Sequence, residues 1–183
     1  MRQVLKLLLA LSLLFTTPAW AEVRGVETHF FQNKVGDFQA ELNTVKKEGK
    51  KGVFLFFEME DCPWCARMKA TILNQSEVQD FFHQHFLVYA MDVKGDVPMI
   101  DFAGKATTEK AFALENRVRA TPTMLFIDGE GKILTRFTGP TRDVAEMMLL
   151  GHYVIDGTYQ QMPFTKFKQL KQTPPAAPPP RAE

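Results

Sequence analysis

Five apolar residues in succession, Val53-Phe54-Leu55-Phe56-Phe57, lead into Cys62-Pro63-Trp64-Cys65, which opens the amphipathic segment Ala66 to Leu73. An unbroken apolar run of strand length predicts a strand buried on both faces, as in the centre of an α/β sheet. Strand, Cys-x-x-Cys, then helix places the first cysteine at a helix N-terminus. There, unpaired backbone N–H groups and the positive end of the dipole favour a thiolate. Such placement lowers a thiol pKa from about 8.5 into a range of roughly 3.5 to 7.5. Pro63 suits the first helical position, where its missing N–H costs nothing. Cys65, three residues on, lies on the same helical face. These are the only two cysteines in the chain. Cys62 is read as the attacking thiol and Cys65 as the resolving one.

Two plainer readings compete. The pair is a structural disulfide, against which stands the two-residue gap directly after a buried strand. Or it is half of a metal site, which would need about four ligands, typically a second Cys-x-x-Cys or paired histidines. No further cysteine exists, and no metal or organic cofactor is expected.

The 183 residues suffice for one domain with a sizeable core. A formal net charge of +1 gives no argument for nucleic acid or an anionic membrane surface as partner. Residues 1–21 read as a cleaved signal peptide: Arg2 and Lys6, the apolar run Leu7 to Phe15, and the Ala-x-Ala ending at Ala21. The run is too short for an ordinary membrane span, and no lipobox cysteine is present. The expected location is a periplasm, where a free Cys-x-x-Cys pair is oxidised unless something keeps it reduced.

Residues 22–172 are expected to form the folded unit. Glu22 to Gly36 is either a first strand or an arm lying on the domain. Asp37 caps a helix to about Lys47, with Phe38, Leu42 and Val45 on one face. After the Cys62 helix, Ser76 is expected to cap a helix to about His85. His83 and His85, two apart, point to different faces and are read as solvated; His29 is read as a surface or hydrogen-bonded histidine. Phe86 to Val93 is a second buried strand. Lys94 to Lys105 reads as a loop, followed by a helix from Thr107 or Thr108 to about Val118 with Ala111, Leu114 and Val118 apolar. Pro122 belongs at the start of the strand Thr123 to Ile127, and Asp128 to Gly131 turns into a partner strand, Lys132 to Phe137. Thr141 is expected to cap a closing helix with Val144, Met147, Met148 and Gly151 inside, the Met pair being core filler. Residues 173–183 read as an extended proline-rich tail. The fold class is α/β, a mixed central sheet with helices on both faces.

Cys62-Pro63-Trp64-Cys65 after a buried strand, with Thr121-Pro122 before a later one, resembles a thioredoxin fold. The resemblance implies a cis bond between Thr121 and Pro122 beside the dithiol, with Thr121 offering backbone groups to a substrate strand. Glu58 to Cys65, Val118 to Thr123, the Asp128 to Lys132 hairpin and Tyr153-Val154 resemble the periplasmic thioredoxin-like proteins of the SoxW type. That likeness covers roughly Gly36 to Phe167 and implies a reductant of extracytoplasmic disulfides drawing electrons from a membrane thiol donor. One departure stands out: thioredoxins hold a buried acid six residues before the first cysteine, where this chain has Phe56. Glu58 and Glu60 are the nearest replacements, and Glu58 is the candidate for proton transfer. The plainer reading makes Glu58 an ordinary strand-end carboxylate and leaves Glu60 and Asp61 as solvated loop charges. Trp64 either shapes the partner surface or packs against the motif.

The chemistry read from these residues is thiol–disulfide exchange through a mixed disulfide on Cys62, resolved by Cys65. The same two cysteines serve a DsbA-like oxidase equally well, although the chain lacks a long helical insertion before Thr121-Pro122. A binding module such as a copper chaperone is the non-enzymatic alternative. The expected partners are exported protein thiols or disulfides and a membrane thiol electron donor; a monomer is expected.

Overall fold

The computed structural model of the chain describes residues 22–34 and 36–172. The expected signal peptide and the proline-rich tail lie outside the described residues. Six helices, labelled α1 to α6, and six strands follow one another among the described residues. They are α1 (Phe38–Lys47), β1 (Gly52–Glu58), α2 (Pro63–Thr71), α3 (Ser76–His85) and β2 (Phe86–Asp92). Then come β3 (Pro98–Ile100), β4 (Ala106–Thr108), α4 (Glu109–Glu115), β5 (Thr123–Asp128), β6 (Ile133–Thr138), α5 (Val144–Ile155) and α6 (Phe164–Gln172). The main sheet runs β2-β1-β5-β6, with β1 parallel to β2 and antiparallel to β5, and β6 antiparallel to β5. This is the mixed sheet expected from two buried strands joined by helices and a later hairpin.

β1 explains why its sequence lacks alternation. Phe54 and Phe56 face one apolar cluster, with α2, α3, α5, α6 and the N-terminal arm. Val53, Leu55 and Phe57 face the other, with α1 and α4. Every residue from Gly52 to Phe57 is buried. Gly52 begins the strand because a Cβ there would lie 1.8 Å from the Ile127 carbonyl oxygen. Gly131 closes the β5–β6 turn at a φ of +82°, a conformation that L side chains rarely adopt.

Several local expectations change. Of the two readings of Glu22 to Gly36, the arm is the one found, over residues 22–34. A single π-helical turn, Val26–Phe30, tucks Val26, Phe30 and Phe31 into the first cluster. Lys94 to Lys105 is not all loop: β3 pairs with β4 in a two-stranded sheet of its own. Three-residue strands are too short to leave a period, and Pro98 sits at the first position, where it is tolerated. The helix after Thr108 ends at Glu115, and Leu114 is 58% exposed. Its inner face is Glu109, Phe112 and Ala113, because the Glu109 carboxylate turns inward to pair with Lys34. Thr108 caps it, accepting from the Ala111 N–H.

Two expected caps are also displaced. Gln75 occupies the cap of α3 with no side-chain bond, and Ser76 is already helical. Asp143, not Thr141, caps α5, its side chain accepting from the Glu146 N–H at 2.9 Å. Thr141 is instead buried, and its carbonyl accepts from Arg67 of α2. Asp37 does cap α1, accepting from the Ala40 N–H. His83 and His85 are less solvated than expected. His83 is half-buried, its Nε2 2.8 Å from the Phe30 carbonyl oxygen, and His85 packs its ring 4.9 Å from Phe81. His29 is exposed, with Nδ1 2.8 Å from the Thr28 hydroxyl. Met147 is fully buried and Met148 packs against the same cluster, as core filler.

Candidate active site

β1 ends at Glu58, and four residues later Cys62 occupies the N-cap of α2 with Pro63 at its first turn. Cys62 and Cys65 are joined as a disulfide. The Cys65 backbone N–H donates to Cys62 Sγ at 3.1 Å. The side chain of Cys62 therefore takes the role that a serine or aspartate oxygen plays at other helix N-termini. Both cysteines line a cleft of about 290 Å³, with Glu58, Met59, Glu60, Ala66, Lys69 and Asp92.

Phe56 is fully buried and packs its ring 5.8 Å from Phe31, so the acid position of thioredoxins is part of the apolar core here. The carboxyl group nearest in role is Glu58, on the cleft. Lys69 Nζ donates to Glu58 Oε1 at 2.7 Å and lies 2.6 Å from its Oε2. The same ammonium donates to Glu27 of the arm at 2.7 Å. Burial raises the Glu58 pKa above its ordinary value, and the Lys69 hydrogen bond partly offsets it. For Lys69, burial pulls the pKa down, but the hydrogen bonds to Glu27 and Glu58 outweigh it and hold the ammonium protonated. Glu60 and Asp61 are exposed, and Glu60 lines the cleft.

The Thr121–Pro122 peptide is cis. Thr123, the next residue, pairs with Phe57, so Pro122 lies at the same end of the sheet as Glu58 and the dithiol. A second hollow of about 100 Å³, lined by Met59, Val93, Val118, Arg119, Ala120 and Thr121, shares Met59 with the first. Thr121 Oγ1 is buried without a hydrogen-bond partner among the described residues. Pro63 and Trp64 are exposed; Trp64, at 54%, does not pack beneath the motif. The Arg67 guanidinium lies 6.0 Å from its ring centroid and donates to the Thr141 and Arg142 carbonyls. That ties the aromatic platform to the loop before α5.

All seven residues singled out in the sequence thus gather at one end of the sheet: Glu58, Cys62, Pro63, Trp64, Cys65, Thr121 and Pro122. Sequence reasoning missed Lys69, Glu27 and Arg67. Lys69 stands four residues after Cys65, on the same helical face, which is a usable signal. Glu27 is brought in by the tertiary path of the arm, and no local pattern marks it. No group of three or more His, Cys, Asp or Glu side chains able to hold a metal occurs among the described residues. No helix among them is long and apolar enough to cross a membrane.

A mixed four-stranded sheet, a Cys-x-x-Cys pair capping the helix after its central strand, and a cis-proline opening the facing strand define a thioredoxin-fold dithiol protein. Residues 38–154 match the thioredoxin-like domain family, and the chain belongs to it. It is 33% identical over 100 residues to the disulfide bond reductase DsbH of Chlamydia pneumoniae, an alignment covering 53% of this chain and 58% of that relative. A thioredoxin-fold protein from Helicobacter pylori superposes with a TM-score of 0.59 at 22% identity, over 82% of this chain and 92% of that one. A DsbH oxidoreductase superposes with a TM-score of 0.55 at 23% identity, over 78% and 92%. These two structures bear on the fold.

Proposed function

We propose that the chain is a thiol–disulfide oxidoreductase working as a reductant of disulfides in exported proteins. The observation that carries this reading is the Cys62–Cys65 disulfide at the N-terminus of α2, on an open cleft and at the same end of the sheet as the cis-proline. The likeness to a protein named disulfide bond reductase supports the direction of electron flow. In the reduced protein, the Cys62 thiolate attacks a client disulfide and one client sulfur leaves as a thiolate. Cys65 loses its proton, its sulfur bonds to Cys62, and the second client thiolate departs. Glu58, the half-buried carboxyl on that cleft, takes the Cys65 proton. The oxidised pair is then returned to the dithiol by a membrane thiol donor, as the SoxW resemblance implies, on the periplasmic side of a membrane.

The reduction potential of the Cys62–Cys65 couple tests the direction. Equilibration with glutathione or dithiothreitol is expected to give a value near that of thioredoxin, about −270 mV. A value near about −120 mV would mean that the reduced form is strongly stabilised, and would make the protein an oxidase.

A further inference from the structure

Among the described residues, Lys69 is the only cation lining the dithiol cleft, and two carboxylates from distant parts of the chain share it. Glu58 comes from the end of β1. Glu27 comes from the π-helical turn of the arm, 42 residues before Lys69 in sequence. Phe31, also from the arm, places its ring centroid 5.4 Å from the same ammonium. The arm is fixed at this spot by Val26, Phe30 and Phe31 in the core and by the Gln32 N–H donating to the Val88 carbonyl. Around Glu58 the charged groups are Lys69 from α2, Glu27 from the arm, Asp92 directly opposite on β2, and Glu60 from the following loop. One ammonium thus serves a site with four carboxylates. An ammonium has three N–H donors, and each one given to Glu27 is unavailable to Glu58.

We infer that Glu27 is a positioning residue of the dithiol site: it divides Lys69 between two carboxylates and leaves Glu58 less firmly paired, free to exchange a proton with Cys65. This rests on the reading that Glu58 takes the Cys65 proton. The balance of the step is fixed. The Cys65 S–H proton passes to the Glu58 carboxylate and the sulfur's electron pair forms the Cys62–Cys65 bond. The Cys62–client bond breaks, and the client sulfur leaves with that bonding pair and takes a proton from water. With Glu27 removed, Lys69 belongs to Glu58 alone and a like charge is gone, so Glu58 ionises at lower pH. With Lys69 removed, Glu58 ionises at higher pH. The two changes therefore act in opposite directions on one carboxyl group.

The test uses purified full-length chain, wild type and the variants Glu27→Gln, Lys69→Gln, Lys69→Arg and Glu58→Gln. The Glu58 carboxyl is titrated by carbon-13 NMR. Resolution of a Cys62–thionitrobenzoate mixed disulfide by Cys65 is timed by stopped flow from acid to neutral pH. The acid limb of the rate profile is expected to move to lower pH in Glu27→Gln and to higher pH in Lys69→Gln. A shift of half a unit changes the rate on that limb roughly threefold. Lys69→Arg should restore a limb close to wild type. Glu27 is 66% exposed at its side chain, so Glu27→Gln folds, and its NMR titration alone decides the case if a lysine variant does not. Limbs that fail to separate in this order, with Glu58→Gln flattening the limb, overturn the role of Glu27 and leave that of Glu58 standing. A limb unchanged in Glu58→Gln overturns both. A wild-type protein that reduces no disulfide overturns the redox reading itself.

Discussion

The Cys65 backbone N–H donates to Cys62 Sγ at 3.1 Å, within the first turn of α2. The bond is asymmetric: Cys62 sits at the cap where amide donors converge, and Cys65 lies inside the helix. Once the disulfide is reduced, the donors at the cap stabilise negative charge on Cys62. Cys62 is therefore expected to titrate below the free-cysteine value of about 8.5, and Cys65 above Cys62. Thiolate absorbance near the ultraviolet edge, followed against pH in Cys65→Ser and Cys62→Ser, checks the order. Cys65→Ser should trap mixed disulfides with client proteins and Cys62→Ser should trap none. Equal trapping by the two would reverse or erase the assigned roles.

Trp64 is the exposed aromatic between the two cysteines, tethered by Arg67 rather than buried. A surface aromatic of this kind adds little to folding, so Trp64→Ala should change unfolding free energy by no more than about 0.5 kcal/mol. Exposed aromatics contribute most where a partner covers them. Reduction of a protein disulfide such as that of insulin should therefore slow several-fold, while reduction of a small aromatic disulfide stays close to wild type. Equal loss on both substrates would place Trp64 in the redox chemistry instead of the partner surface.

The sheet was legible because β1, β2 and β5 are continuous apolar runs with turn residues at their ends. The dithiol was legible because its chemistry is confined to one tetrapeptide. Proline before β5 located the cis bond only through resemblance, since nothing local distinguishes Thr121-Pro122 from other X–Pro pairs. What the sequence hid was decided by tertiary contacts. Glu109 faces inward because Lys34 meets it, which rotates the face of α4 away from Leu114. Ser76 and Thr141 are good capping residues in the wrong register by one and two positions, with Gln75 and Asp143 in the cap positions. Glu27 reaches the active site through the arm's path, which no spacing rule encodes.

Gly52 starts the central strand against the backbone of β5, and a methyl group there would meet the Ile127 carbonyl oxygen at 1.8 Å. That neighbour is main chain inside a ladder, so it has no room to yield. Gly52→Ala is expected to cost more than about 2 kcal/mol, beyond the usual effect of a single substitution. Urea unfolding followed by circular dichroism measures it. A loss under about 1 kcal/mol would mean that the β1–β5 pair can slide apart at this end without penalty.

Asp143 offers a test with a pH signature. Its side chain caps α5 by accepting from the Glu146 N–H, and Arg142 Nε donates to its other oxygen at 2.8 Å. The Arg142 hydrogen bond, together with the backbone N–H of Glu146, lowers the Asp143 pKa below its ordinary value. A carboxyl group whose folded pKa is depressed stabilises the fold above its unfolded pKa, about 3.9, and loses that contribution as pH falls through the folded value. Asp143→Ala should thus cost about 1 kcal/mol at neutral pH, the usual worth of an N-cap. The exposed ion pair with Arg142 adds little to this. The gap between Asp143→Ala and wild type should narrow as the pH drops below the ordinary carboxylate range. Asp143→Asn, which keeps a capping oxygen, should lose only a few tenths of a kcal/mol and show almost no narrowing. Urea midpoints of the three proteins at neutral and acid pH decide the matter. An Asp143→Ala penalty that stays constant down to acid pH would assign the loss to packing at the start of α5 and not to the charged cap.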